Sequence, residues 1–405
     1  MSLSALASSI AESPTLSLNE TARALREKGE SVIHLGGGEP KNKAPRSAAQ
    51  ACAAKLEGGD VKYTPTSGTA GLKQAVARYT EQSYGWSVGP ANVIVCDGAK
   101  GALFNVLFAL VDPGDEVVVL APYWVSYPEM IKMVRGVPVI VRPPEGGFVP
   151  RLEDVAAALG AKTKALIVNS PNNPSGAVYP EELVAGLVRL CEERGIAYIS
   201  DDIYHKLVFD GRTTPSPYRA TDQDPETTKI ISINGISKLF GMTGFRIGWA
   251  VAPKAMVKVL ARIQAQTVSC TSGLLQAAAE GALNGPPADF EALRSSLQAN
   301  RDVMMRELAA IPRLKVRRPE GTFYCLPDFR AYGADSAALA RLLLEKALVV
   351  TVPGREFGME GHLRLSYCTS AEEIREGAAR IRWALDPEAP KQMRIGSKTV
   401  VRDWL

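Results

Sequence analysis

Several things are scarce in this 405-residue chain. Histidine occurs three times, and the six cysteines (Cys52, Cys96, Cys191, Cys270, Cys325, Cys368) are scattered, with no C-x-x-C pair and no neighbouring histidine cluster. That spacing speaks against a zinc site and a disulfide framework, and it reads as buried thiols in a reducing compartment. No apolar stretch approaches the ~18 residues a membrane span needs. The start, MSLSALASSIAESPTLSL, lacks a basic segment followed by a continuous apolar run, so a cytoplasmic protein without membrane contact is expected. The formal net charge is +4 and no dense lysine or arginine block stands outside the tail, so the footprint of a nucleic-acid binder is missing. Neither G-x-G-x-x-G nor G-x-x-x-x-G-K-[ST] occurs, which removes the common nucleotide fingerprints.

What is present is the composition of an ordinary globular protein, 46% hydrophobic and 22% charged, with length for one large domain and a smaller one. From about Asn92 to Pro253, short β-branched runs alternate with turns and helical patterns, as in VIVCDGAKGALFNVLFAL. This signals a mostly parallel sheet covered by helices, an α/β fold with its ligand site at the carboxyl ends of the strands. Further strands are expected at 137–141, 165–170, 197–202, 230–234 and 246–252. After Pro253 the helical stretch FEALRSSLQANRDVMMRELAAI leads to a second, smaller α/β unit with a helix near Ala337–Lys346. The expected division is 46–290 for the large domain, 1–45 with 291–390 for the small one, and 391–405 as a tail without periodicity, flexible or partner-facing.

Four segments carry candidate chemistry. In NGISKLFGMTGFRIG, Lys238 follows a strand among small and apolar residues, with Arg246 eight positions later. A desolvated lysine is an amine of depressed pKa, able to form a Schiff base with an aldehyde. In VIVCDGAKGALFN, Gly98, Ala99 and Lys100 stand where a strand turns into a helix, a place whose free N–H groups suit a phosphate; a tight turn needing glycine is the plainer reading. In AYISDDIYHK, Asp201 and Asp202 end a strand two residues before Tyr204, so one carboxylate should face a ligand crevice and the other point away. Beside a pyridine nitrogen such a carboxylate would keep it protonated; metal binding is the rival. SPNNPSG supplies Asn173 in a proline-flanked loop. His205 reads as structural.

Taken in order with GGGEPKNKAP, KYTPTSGTAGLKQAVA, DPGDEVVVLAPYWVSYPEM, PEGTFY, VPGREFG and HLRLSY, these segments resemble the class I/II aminotransferases of PLP fold type I, nearest the bacterial aspartate aminotransferase subgroup, from roughly Ser13 to Arg382. The resemblance implies a mostly parallel seven-stranded sheet flanked by helices and an enzyme dependent on pyridoxal 5′-phosphate (PLP). That enzyme would pass an amino group from an L-amino acid to a 2-oxo acid in a ping-pong cycle. It further implies that Lys238 is the catalytic amine, that Asp201 pairs with the ring nitrogen, and that Asn173 and Tyr204 contact the 3′-oxygen. Trp124 would stack on the ring. Ala99, Lys100 and Arg246 would hold the phosphate, with Tyr63 arriving from a neighbouring subunit of a homodimer. Arg364 would grip the substrate α-carboxylate, assisted by Gly38, Trp124 and Asn173. No metal is implied.

The chain departs from its relatives in places. Lys41, Asn42 and Lys43 stand after GEP where an acidic and an aromatic residue are usual, and the helix after Lys100 carries no base for a distal carboxylate, so aspartate specificity is not implied. Gly235 and Phe245 replace a serine and a tryptophan found in other branches. Two other outcomes share the scaffold, a PLP-dependent lyase or oxidase and a non-catalytic PLP-binding regulator; about 45 residues before the large domain, without a helix-turn-helix, speak against the regulator. A metal-dependent hydrolase on Asp201 and Asp202 is the reading from a different class.

Overall fold

Alternate residues of the central strands feed two separate cores, which is what buries this sheet on both faces. In β2 (Val93–Asp97), Val93 and Val95 join one core, while Ile94 and Cys96 join the other against the helix Gly98–Leu110. The same division runs through β3 (Glu116–Leu120), β4 (Val137–Val141), β5 (Thr163–Val168), β6 (Ala197–Asp201), β7 (Ile230–Gly235) and β8 (Ile247–Val251). These seven strands lie in the order β2-β8-β7-β6-β5-β3-β4, with β8 antiparallel to both neighbours and every other pair parallel. The expected seven-stranded, mostly parallel α/β architecture is the one observed. The structure is a computed structural model that describes residues 3–12 and 14–404. Met1, Ser2, Ser13 and Leu405 lie outside it, and with them the ends of the arm 1–45 and of the tail 391–405, and the start of the family resemblance at Ser13.

Strand ends differ from the sequence expectation for local reasons. The run expected at 165–170 begins at Thr163 and stops at Val168, because Asn169 and Ser170 turn to pinning loops: Asn169 Nδ2 donates to Asp201 O at 2.9 Å, and Ser170 Oγ accepts from Tyr179 N at 2.8 Å. Arg246 is excluded from β8 by its left-handed backbone, φ +52°.

Helix Pro287–Ala309, 23 residues long, runs from the large sheet toward the C-terminal elements. There β9 (Tyr324–Cys325) and β11 (Val352–Pro353) flank β12 (Leu363–Ser366) in an antiparallel sheet, and the helix expected near 337–346 spans Ser336–Ala347. The N-terminal segment joins them, since β1 (Ile33–His34) pairs in parallel with β10 (Val349–Val350). Among the described residues no helix is long and apolar enough to cross a membrane, and all six cysteines are free thiols.

The stretch expected to be a flexible or partner-facing tail carries secondary structure. β13 (Gln392–Ile395) and β14 (Lys398–Val401) form an antiparallel hairpin turning at Gly396, φ +59°. Arg402 then donates to the carbonyls of Trp383, Asp386, Pro387 and Ala389 at and beyond the end of the helix Ala371–Leu385, and Trp404 packs edge-on against Trp383 at 5.3 Å. The hairpin strands are only four residues long and their anchors lie in another element, so no local periodicity announced them.

Candidate active site

Five chain segments bring their functional side chains to one edge of the large sheet, where the parallel strands end and β8 begins. Together with Gly38, Tyr324 and Arg364 they surround a cavity of about 370 Å³. This is the position at which ligands bind in open α/β sheets.

Lys238 sits in the short helix Ile236–Leu239 that follows β7. Its Nζ donates to Gly38 O at 2.6 Å and lies 5.7 Å from the Phe323 ring centre. Burial lowers its pKa to about 8, against the opposing pull of Cys368 and Glu39, and the charges of Arg364 and Arg246 push the same way as burial. A neutral amine is therefore accessible far below the usual lysine range. Gly38 meets this amine through its carbonyl.

Ala99 and Lys100 open the helix Gly98–Leu110, whose N-cap Asp97 makes no side-chain cap, so the first-turn N–H groups are left to another acceptor. Gly98 is required twice over. Its φ is +77°, and a Cβ there would stand 2.6 Å from Arg246 Nη2. A Cβ on Gly248 would in turn meet Ala99 N at 2.2 Å, so β8 presses directly on the turn. Arg246 Nη1 donates to Thr243 O at 3.0 Å, which leaves the rest of the guanidinium over the helix start, an arrangement suited to a phosphate dianion. The Lys100 amine lies 4.7 Å over the Trp124 ring.

Asp201 and Asp202 part as expected. Asp201 lines the cavity and accepts from Tyr127 Oη at 2.5 Å; Asp202 turns away and accepts from Ser200 Oγ and Ser232 Oγ, both at 2.6 Å. Burial raises each carboxyl to about 6, opposed by those hydroxyl donors. The two share no ligand position, and among the described residues no three His, Cys, Asp or Glu side chains gather as a metal would need. His205 lies behind Asp202, stacked on Tyr84 at 4.9 Å and hydrogen-bonded to Tyr79 Oη at 2.9 Å; burial lowers its pKa to about 3. It is a neutral core histidine.

Asn173 is pinned by its N–H to Asn169 Oδ1 at 2.8 Å, and its Oδ1 accepts from Arg364 Nη1 at 3.1 Å. Arg364, 2% exposed on β12, also donates Nη2 to Gly36 O at 2.9 Å, and its guanidinium lies over the Tyr324 ring at 4.2 Å. Its Nε is buried without a partner. Arg364 lines the cavity, and a planar guanidinium of this kind suits a carboxylate. Tyr204 is buried edge-on against Phe323 and Tyr324. Of the expected residues only Tyr63 is absent from the cavity; it stands 90% exposed.

Among the cavity residues without an assigned role are three whose side chains touch assigned ones. Asn169 was hidden in an expected strand, and Tyr324 lay in the quoted PEGTFY without a role. Tyr127 stands three positions after Trp124, a helical spacing that could have drawn notice; the two rings meet edge-on at 5.4 Å.

Comparison with known proteins agrees with this geometry. The family model for aminotransferase class I and II matches residues 30–381. The chain is 42% identical over 372 residues to the aspartate/prephenate aminotransferase of Thermus thermophilus, covering 91% of this chain and 94% of that one. It is 36% identical over 396 residues to the aspartate aminotransferase of Geobacillus stearothermophilus, with 96% and 100% covered. The solved structure of the Thermus thermophilus aspartate aminotransferase with maleate aligns with a TM-score of 0.90 at 41% identity, over 94% of this chain and 99% of that one. That of the Rhizobium meliloti enzyme gives 0.90 at 34%, over 95% and 99%. The chain belongs to the class I and II aminotransferases.

Proposed function

We propose that this aminotransferase works with pyridoxal 5′-phosphate held in the cavity at Lys238, and that aspartate is one of its amino donors. The donor reading rests on the names of its relatives. The cofactor reading rests on one observation: an amine of lowered pKa, a buried carboxylate without a cationic partner, an uncapped helix start under Arg246 and the Arg364 guanidinium all line one cavity. Each is a partial site that the phosphate, the ring nitrogen, the aldehyde or a substrate carboxylate completes.

In this reading the N–H groups of Ala99 and Lys100 and the Arg246 guanidinium hold the phosphate. Asp201 accepts the ring N–H, Asn173 and Tyr204 donate to the 3′-oxygen, and Trp124 covers the ring face. The bound cofactor supplies an aldehyde and an electron-withdrawing ring that stabilises charge released at the substrate Cα. Arg364 grips the α-carboxylate through its planar fork, with Gly38 and Asn173 alongside, which fixes the Cα–H beside Lys238. Lys238 Nζ would take that proton from the Cα and hold it for return, a role its lowered pKa suits near neutral pH. Tyr63 reaches the phosphate of the other subunit in a homodimer, in keeping with its exposure here. The division into 46–290 and 1–45 with 291–390, and a cytoplasmic location, belong to the same proposal.

The experiment is the absorption spectrum of the PLP-loaded protein before and after single amino acids are added without any 2-oxo acid. Loss of the yellow band with one equivalent each of pyridoxamine phosphate and 2-oxo acid is expected, with aspartate among the active donors. Ammonia release without pyridoxamine phosphate would overturn the reading in favour of a lyase or oxidase.

A further inference from the structure

The carboxylate of Asp201 hangs from a single strong tether. Tyr127, 2% exposed in the helix Ser126–Met133, donates its phenol O–H to Asp201 Oδ2 at 2.5 Å, a short bond to a charged acceptor and hence of the strong class. The other oxygen, Oδ1, receives only Ile203 N–H at 3.4 Å, a long contact. One oxygen is committed and the other is open to a further donor. Asp202 is the contrast: both of its oxygens are taken by serine hydroxyls on the far side of the strand. A carboxylate held by one bond can swing about its χ2 torsion, and a swing would carry Oδ1 out of line with any ligand in the cavity. The tether also comes from the helix entered through Trp124, whose ring meets that of Tyr127 at 86°. The tyrosine is thus braced by the same residue that lines the cavity wall.

We propose that Tyr127 is a positioning residue: by holding Oδ2 it fixes the Asp201 carboxylate with Oδ1 aligned for the ring nitrogen of the cofactor. The assignment rests on the role of Asp201 given above. It makes the phenol O–H, rather than the bulk of the ring, the part of Tyr127 that matters. The same bond opposes the tendency of burial to protonate Asp201, so its loss would weaken both the direction and the charge of the carboxylate.

The test is a double-mutant cycle read by cofactor affinity. Tyr127→Phe keeps the packed ring and removes only the O–H; Asp201→Ala removes the group it acts on. Pyridoxamine 5′-phosphate serves as the probe because it makes no covalent bond with Lys238, and its dissociation constant is measured for wild type, both single variants and the double variant. Thermal unfolding of each apoprotein verifies the fold. Tyr127→Phe should weaken binding about tenfold when Asp201 is present, the loss of one charge-assisted hydrogen bond, and less than about twofold when it is absent. With 15N-labelled ring nitrogen, its NMR shift in Tyr127→Phe should move toward that of the unprotonated ring. An equal loss in both backgrounds would mean that Tyr127 acts through packing, and wild-type affinity with an unmoved 15N shift would mean that the tether is idle; either result overturns the proposal. If Asp201→Ala binds the probe as tightly as wild type, the Asp201 assignment itself fails, and the proposal falls with it.

Discussion

Lys238 Nζ and the carbonyl of Gly38 meet at 2.6 Å across 200 positions of chain. The amine at the end of a large-sheet strand is thereby held by the glycine segment that leads from β1, which itself pairs with β10 among the C-terminal elements. The contact positions the amine by one acceptor, and burial does the rest of its tuning.

Replacing Lys238 should abolish turnover without harming the fold. Lys238→Ala is expected to lower kcat by about 10³-fold or more, the loss of both proton transfer and covalent attachment. Circular dichroism should be unchanged, and a fully active variant would end the mechanism.

The same amine predicts a pH dependence. Its pKa is lowered to about 8 in the folded chain from 10.5, so the unfolded chain binds the extra proton between those values and stability of the apoprotein rises with pH across that window. Below about 8 the whole penalty is present. Lys238→Met should therefore melt higher than wild-type apoprotein at pH 7, by roughly 2 °C, with the gap closing toward pH 10.5. Aldehyde labelling of Lys238 should rise through pH 8.

Arg364→Lys keeps the charge and loses the fork. A drop of about 10- to 100-fold in kcat/KM is expected, carried mainly by KM for the amino acid, because an ammonium cannot bond a carboxylate in two parallel contacts. A variant within twofold of wild type, by the same measure, would remove Arg364 from substrate binding.

Arg301, 0% exposed, pairs in two parallel bonds with Asp210 at 2.7 and 2.8 Å and reaches Asp302 at 2.9 Å. The acids are 43% and 45% exposed, so solvent screening reduces the cost of losing the pair. Arg301→Leu should cost about 2 kcal/mol in urea unfolding. The Arg301 hydrogen bond holds the Asp210 carboxyl below its usual 3.8. Its contribution is thus complete above that value and disappears as pH falls through the lower folded pKa, and the variant should lose this acid-range slope.

Removal of residues 391–405 should destabilise the chain by roughly 3 kcal/mol, since it strips the Arg402 donors from four carbonyls and uncovers Trp383. The melting temperature reads the effect; an unchanged value would make the hairpin an ornament.

Shared sites are tested by mixing subunits. If the proposed homodimer forms, Lys238→Ala and Tyr63→Ala variants unfolded and refolded together should give hybrids with one complete site, hence more activity than the sum of the two parents. No gain on mixing would place Tyr63 outside the neighbouring site.

Much of this protein was legible in the residues. The alternation of β-branched runs with helical patterns foretold the parallel sheet, because burial on both faces demands continuous apolar strands. The motifs around Lys238, Asp201, Asn173 and Arg246 pointed to residues that the fold gathers around one cavity, because each stands at a strand end where the chain must turn anyway. Arg364 was also legible, between Leu363 and Leu365.

The tertiary structure alone decided the partners. Tyr127 on Asp201, Gly38 O on Lys238, Asn173 Oδ1 and Gly36 O on Arg364, and the close fit of Gly98 under Arg246 are contacts between elements far apart in sequence, and a local pattern holds no record of which distant group fills a side chain's valences. The C-terminal hairpin makes the same point in reverse, since its strands are too short to show a period and the Arg402 that follows them is anchored on carbonyls at and beyond the end of another helix. Sequence dictates which groups are present and how the backbone repeats; packing dictates which of them meet, and the pKa of Lys238 and the direction of Asp201 follow from that meeting.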